Sequence, residues 1–273
     1  MMTTNNQLPV LITAGGIPEP DSPLYHETLG QPKALLDMGG MTMLGRVLHG
    51  LAEAESVGEL VVTGLDEVYW AAIQHEQPRP VTFLPNAGSM VGNIQQGLAY
   101  LRPRHETTCP VALICSSDIP HMQGFMVDEL VNEARPFDRL FYYVAVTPET
   151  IEAVYPGAER TYVNLKGGLR LAGADVGLVR YELLDTDPQL WEQLTAARKH
   201  AWQIARRVGW GVLFKLLLRQ LSVADIYATA VRVLKTNREP QLIITPHAAL
   251  AMDADKPHQV ALLRAKTGWA GEV

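Results

Sequence analysis

Cysteine is nearly absent from this 273-residue chain, Cys109 and Cys115 being the only two. Two thiols exclude a disulfide framework and a cysteine-held zinc. Basic residues are in the minority, 23 Lys and Arg against 29 Asp and Glu, for a formal net charge of −6. That balance argues against electrostatic binding of nucleic acid, a local basic pocket aside. Long apolar runs are missing too: the greasiest stretch, Val208 to Leu218, is broken by Lys215 and is too short to cross a bilayer. The opening MMTTNNQ has no basic residue and no apolar core of signal-peptide type, so it reads as a short tail on a cytoplasmic protein. With 47% hydrophobic and 19% charged residues, disorder is excluded as well. The length allows one large α/β domain or two small ones, and a sizeable core in either case.

What is present is alternation. Apolar runs at Pro9–Ala14, Leu60–Gly64, Val81–Leu84, Val111–Ser116 and Leu140–Val146 read as strands. Helical patterns at Met41–Glu55, Glu67–His75, Met90–Leu101 and Met122–Ala134 fall between them. Such order predicts an α/β fold, a mostly parallel sheet with helices on both faces. Ligands bind such sheets beyond the carboxyl ends of the strands, where strand order reverses. From Pro188 to Lys235 the pattern turns almost wholly helical, with Ser222 and Asp225 placed as a capping-box variant. An apolar run at Leu242–Thr245, a polar turn at Asp253–Pro257 and a final short helix follow. The expectation is a single domain over 1–273 with a helical insertion at 187–236.

Four segments after strands carry chemistry. Leu11-Ile12-Thr13-Ala14-Gly15-Gly16 runs a strand into two glycines, and Pro32-Lys33-Ala34-Leu35-Leu36 follows. Glycines let backbone N–H groups approach a phosphate, and a lysine adds a point charge for it. An ordinary turn and a surface lysine account for either half alone; the pairing favours a phosphate site. Asp118, in Cys115-Ser116-Ser117-Asp118-Ile119-Pro120, is placed to hold Mg²⁺ or to cap the next turn. In Met252-Asp253-Ala254-Asp255-Lys256-Pro257 one aspartate fits a second metal carboxylate and the other a helix cap. Asn86-Ala87-Gly88-Ser89-Met90-Val91-Gly92-Asn93 opens a helix and offers backbone and side-chain hydrogen bonds to a base or sugar, with a plain glycine-containing helix start as the alternative.

Taken in order, L-x-x-A-G-G, P-K-A-L-L, G-G-x-x-M-L, S-S-D-I-P and D-x-D-x-P resemble the MobA-like nucleotidyltransferases of the GT-A-like superfamily. The likeness spans roughly residues 8–180 and 241–264. It implies a three-layer Rossmann-like fold of GT-A type and a Mg²⁺- or Mn²⁺-dependent transfer of NMP from an NTP to a small phosphorylated or hydroxylated acceptor, with pyrophosphate leaving. Ala14, Gly15 and Gly16 match the nucleotide loop, and Lys33 the lysine that neutralises the phosphates. Asp118 matches the metal-binding aspartate, and Asp255 fits the later metal position better than Asp253. Asn86, Gly88 and Ser89 match the region contacting the base. Leu171-Ala172-Gly173-Ala174-Asp175 resembles the acceptor-side G-G-N segment, with Asp175 where Asn is usual.

The chain departs from the family pattern in two places. The family's loop commonly carries an arginine within G-x-x-x-R-x-G; residues 17–32 hold none and include Glu19, Asp21 and Glu27 instead. The helical stretch near 187–236 has no counterpart in the compact molybdopterin enzymes.

Arg160 and Lys166 are placed either to recognise a phosphorylated acceptor or on a solvated β-ribbon. His121, close after Asp118, reads mainly as packing or exposed. The run at 208–218, preceded by Trp202, Arg206 and Arg207, suits a buried helix or a homo-oligomer interface, and second a membrane-surface helix or a pocket for a hydrophobic acceptor. Two alternatives remain. One is a non-catalytic nucleotide-binding homologue, a sensor or scaffold, and the other a nucleotide-sugar-dependent glycosyltransferase. A dehydrogenase is disfavoured by the lack of GxGxxG.

Overall fold

The computed structural model describes residues 7–186 and 209–266. Leu8–Thr13 (β1) has the apolar run of a strand buried on both faces, and its side chains alternate between two layers. Leu8, Val10 and Ile12 face one core with Val47 and Leu51 of helix α1 (Met43–Glu53) and Val127 and Val131 of helix α2 (Gly124–Ala134). Leu11 faces the opposite core with Leu98 and Leu101 of helix α3 (Met90–His105).

Strands β2 (Val57–Thr63) and β3 (Val81–Phe83) extend the sheet to one side of β1, and β4 (Val111–Ser116) lies on the other. The order is β3-β2-β1-β4-β7-β5-β8, with β5 at Phe141–Val146, β7 at Arg170–Arg180 and β8 at Gln241–Ile244. Strand order therefore reverses between β1 and β4, the crevice where α/β sheets bind ligands. β7 runs antiparallel to β4 and β5, and β6 (Val163–Asn164) pairs with it as a ribbon; the remaining pairings are parallel.

The five expected strands form within a few residues of their predicted bounds. β7 is not visible in the apolar pattern because Gly173, Asp175 and Gly177 interrupt it, yet those glycines are what allow it in. A Cβ on Gly177 would press into the Tyr142 carbonyl at 2.7 Å. Helix Glu67–His75 breaks into short 3₁₀ and α turns.

Of the expected helical stretch, Trp210–Leu217 and Val223–Leu234 are helices, and Ser222 and Asp225 form the capping box reciprocally. Residues 187–208, including Trp202, Arg206 and Arg207, lie outside the described residues. Trp210, Phe214, Leu217 and Leu218 are exposed rather than buried. Among the described residues no helix is long and apolar enough to cross a membrane.

Candidate functional site

Parallel pairing of β1 with β4 sets Thr13 beside Ser116, so the two chains leave the sheet together and the Ser117 N–H donates to the Thr13 carbonyl at 3.0 Å. Gly15–Gly16 and Asp118 emerge side by side from that edge. Gly16 has φ +134°, a conformation that L side chains rarely adopt, and Gly15 packs against the Gly64 backbone, where any Cβ on Gly64 would collide. The Lys33 N–H donates to the Gly16 carbonyl at 3.0 Å, which closes residues 17–32 into a loop and returns the lysine to the glycines. Within that loop Glu27 is neutralised by Arg264 at 2.7 Å.

Lys33 Nζ stands 2.5 Å from Asp118 Oδ2 and 2.7 Å from Asp255 Oδ1. Burial alone would lower the lysine pKa, but the two carboxylates outweigh it and hold the ammonium well above its ordinary range. Asp255 is held below the usual carboxylate range because Lys33 overrides its partial burial.

A second layer lies beneath. Asp253 is buried and ion-paired with Arg160, whose guanidinium also donates to the Gly173 carbonyl at 3.2 Å and lies 3.6 Å from Asp175. Burial pushes Asp253 up to about 6 despite Arg160. Burial, reinforced by the neighbouring charges of Asp118 and Asp253, pushes Asp175 up to about 8.

These groups share one cleft of about 820 Å³ whose walls include Gly15, Gly16, Lys33, Asn86, Gly88, Ser89, Asp118, Asp175, Asp253 and Asp255. Ala14 lies buried behind the glycines at 1% exposure. Lys166 is exposed on the β6–β7 ribbon, away from the cleft walls, and Arg160 is committed to the aspartates beneath them. Ser89 caps helix α3 by accepting from the Gly92 N–H at 3.0 Å.

Two buried amides hold the loops of the site in place. Asn93, 5% exposed, accepts from the Ala87 N–H at 2.7 Å and donates to Asn86 at 3.1 Å, fixing the loop that faces the cleft. Gln259, 2% exposed, accepts from the Asp255 and Lys256 N–H groups at 3.1 and 2.9 Å and donates to the Ala158 carbonyl at 3.0 Å. Gln259, rather than an aspartate, thus caps the last helix while tying the Asp255 turn to the loop bearing Arg160. A polar residue in the third position of a helix is the only hint of this in the sequence.

The donor set suits a hard, oxygen-ligated cation. Asp118 Oδ1 and Asp175 Oδ2 are buried without a hydrogen-bond partner. Among the described residues no three acidic, His or Cys side chains form a metal cage on their own. Mg²⁺ commonly takes one or two carboxylates and completes its shell with phosphate oxygens and water, and Asp118 and Asp255, on either side of Lys33, could supply such carboxylates.

Known proteins share the architecture. A hypothetical transferase from Thermus thermophilus superposes with a TM-score of 0.76 at 28% identity, over 93% of this chain and 99% of that one. The 4-diphosphocytidyl-2C-methyl-D-erythritol synthase of Anaerococcus prevotii (TM-score 0.59, 9% identity, 97% and 99% covered) shares the fold. A CMP:2-keto-3-deoxy-manno-octonic acid synthetase complexed with CTP does too (0.58, 14%, 97% and 99%). No curated protein matches the sequence. Residues 27–208 match the model of the MobA-like NTP transferase domain, and the chain belongs to that family.

Proposed function

We propose that the protein is a divalent-metal-dependent nucleotidyltransferase that moves NMP from an NTP to a small phosphorylated or hydroxylated acceptor. The observation that carries this reading is the Lys33 ammonium seated between Asp118 and Asp255 at the mouth of the glycine loop. Gly15 and Gly16 are exposed, so no side chain stands between the loop backbone and a triphosphate, and Asn86, Gly88 and Ser89 on the wall of the same cleft are assigned to its base and sugar. Asp118 and Asp255 would hold the divalent cation, whose chemistry when bound is charge neutralisation at the phosphates.

The cleft is acidic, with four aspartates against Lys33 and Arg160. Lys33 screens the two carboxylates nearest the phosphates, Arg160 screens the deeper pair, and the acidic loop is partly discharged through Arg264. The acceptor oxygen attacks the α-phosphorus. A new P–O bond forms as the bond to the α,β-bridging oxygen breaks, and the electron pair leaves with pyrophosphate. A phosphate acceptor is already anionic, so positioning and charge neutralisation suffice without a dedicated base. A hydroxyl acceptor releases one proton, to water, as its P–O bond forms.

The test is pyrophosphate release with each of the four NTPs, Mg²⁺ and a pool of phosphorylated and hydroxylated acceptors. Turnover unchanged in both Lys33→Ala and Asp118→Ala would refute the assignment.

A further inference from the structure

We propose that the acceptor is amphipathic: its phosphorylated or hydroxylated head reaches the Asp118 end of the cleft while an apolar body fills a separate pocket beside it. This rests on the nucleotidyl-transfer reading above and adds the substrate class.

The pocket, about 290 Å³, lies between helix Val223–Leu234, the β6–β7 ribbon and the β5–β8 edge. Its walls include Phe141, Tyr143, Val163, Leu171, Ile226 and Leu242, and no Asp, Glu, Lys, Arg or His is among the described residues lining it. The ring of Tyr227 also faces it, and the Tyr227 hydroxyl accepts from the Leu242 N–H at 2.5 Å. Gln241, Tyr143 and Tyr227 are the polar side chains among the described residues lining it, and with no charged group beside them such a surface binds chiefly by burial of apolar area.

Continuity gives the occupant. Phe141 and Tyr143 line both this pocket and the 820 Å³ cleft. Tyr143 is 53% exposed, and a Cβ on Gly173 would collide with its hydroxyl, so the bare glycine seats the ring on the rim between the two. The sheet order separates the halves: the glycine loop and Asn86–Ser89 follow β1 and β3, whereas β5 and β8 lie across β4 and β7. A molecule on the acceptor side of Asp118 therefore passes Tyr143. The volume suits part of a small molecule and is too small for a helix of another protein.

Ethyl, butyl, hexyl and octyl phosphate serve as probes in thermal-shift titrations with Mg²⁺ and each NTP. Affinity is expected to rise about two- to fourfold per methylene. Ile226→Gln and Val163→Gln, at partly exposed positions that tolerate a polar side chain, should flatten that slope. Leu217→Gln, on the exposed apolar face of helix Trp210–Leu217, should leave it intact. Equal affinity for ethyl and octyl phosphate overturns the inference. So does a slope that survives Ile226→Gln and Val163→Gln, or one removed by Leu217→Gln. If no NTP shifts the melting temperature, the nucleotidyl-transfer reading itself fails; if NTPs bind and the alkyl series is flat, only the apolar pocket falls.

Discussion

Lys33 and Asp255 are 222 residues apart in the chain and 2.7 Å apart in space. The contact joins the segment after the first strand to the turn after the last one, and Asp118 meets the same ammonium from the middle of the chain. Removing Lys33 leaves two carboxylates facing each other and the incoming triphosphate. Lys33→Ala is expected to lower pyrophosphate release by about 10²- to 10³-fold, the usual effect of deleting one preorganised electrostatic contact.

Asp118→Asn keeps the side-chain volume and removes the charge. Chelation of divalent cations should abolish wild-type turnover and Mg²⁺ should restore it. In Asp118→Asn the half-saturating Mg²⁺ concentration should rise while NTP-independent thermal stability stays close to wild type. An unaltered Mg²⁺ dependence would show that Asp118 is not a ligand.

Arg160 is the counter-charge for the deeper layer. Arg160→Met would leave Asp253 buried and unpaired, and breaking one partner of a buried pair costs about 3–5 kcal/mol. Guanidinium unfolding should report a loss of that order, and it should be relieved in part by Asp253→Asn in the same chain, which removes the closer of the two carboxylates that Arg160 screens. A double variant as unstable as the single one would place the role of Arg160 elsewhere.

How much of this was legible depends on the kind of signal. Continuous apolar strands followed by Gly15–Gly16, Lys33, Asp118 and Asp255 could be read directly, because strand ends in a parallel sheet converge on one edge whatever lies between them. The Ser222–Asp225 box was legible since a cap is a local rule. β7 was hidden, because its glycines serve close approach to β5 rather than strand propensity. Arg160 reads either as an acceptor ligand or as part of a solvated β-ribbon because its sequence neighbours are polar, whereas its partners, Asp253 and Gly173, come from two other elements. Gln259 shows only as a polar residue in the third position of a helix and Asn93 only as the last residue of the Asn86–Asn93 helix start, since the role of a buried amide is defined by the groups it meets in the fold.

His121 supplies a pH dependence outside the cleft. Its Nδ1 lies 2.9 Å from the Tyr155 hydroxyl, and the two rings stack. Burial, with help from the charges of Arg46 and Lys266, pushes the imidazole down to about 4. The unfolded chain takes up this proton near pH 6.5, and the folded chain does so only near 4. Between those values the unfolded state binds more protons, so this contribution to stability is present above about 6.5 and is lost as pH falls toward 4. In wild type the His121 ring resonances should hold still from pH 7.5 to 5.5. Urea midpoints should fall more steeply with acid than those of His121→Phe, a volume-tolerant change that removes the titrating group. A ring titration centred near 6.5, or parallel acid profiles for the two proteins, would rule out a neutral buried His121.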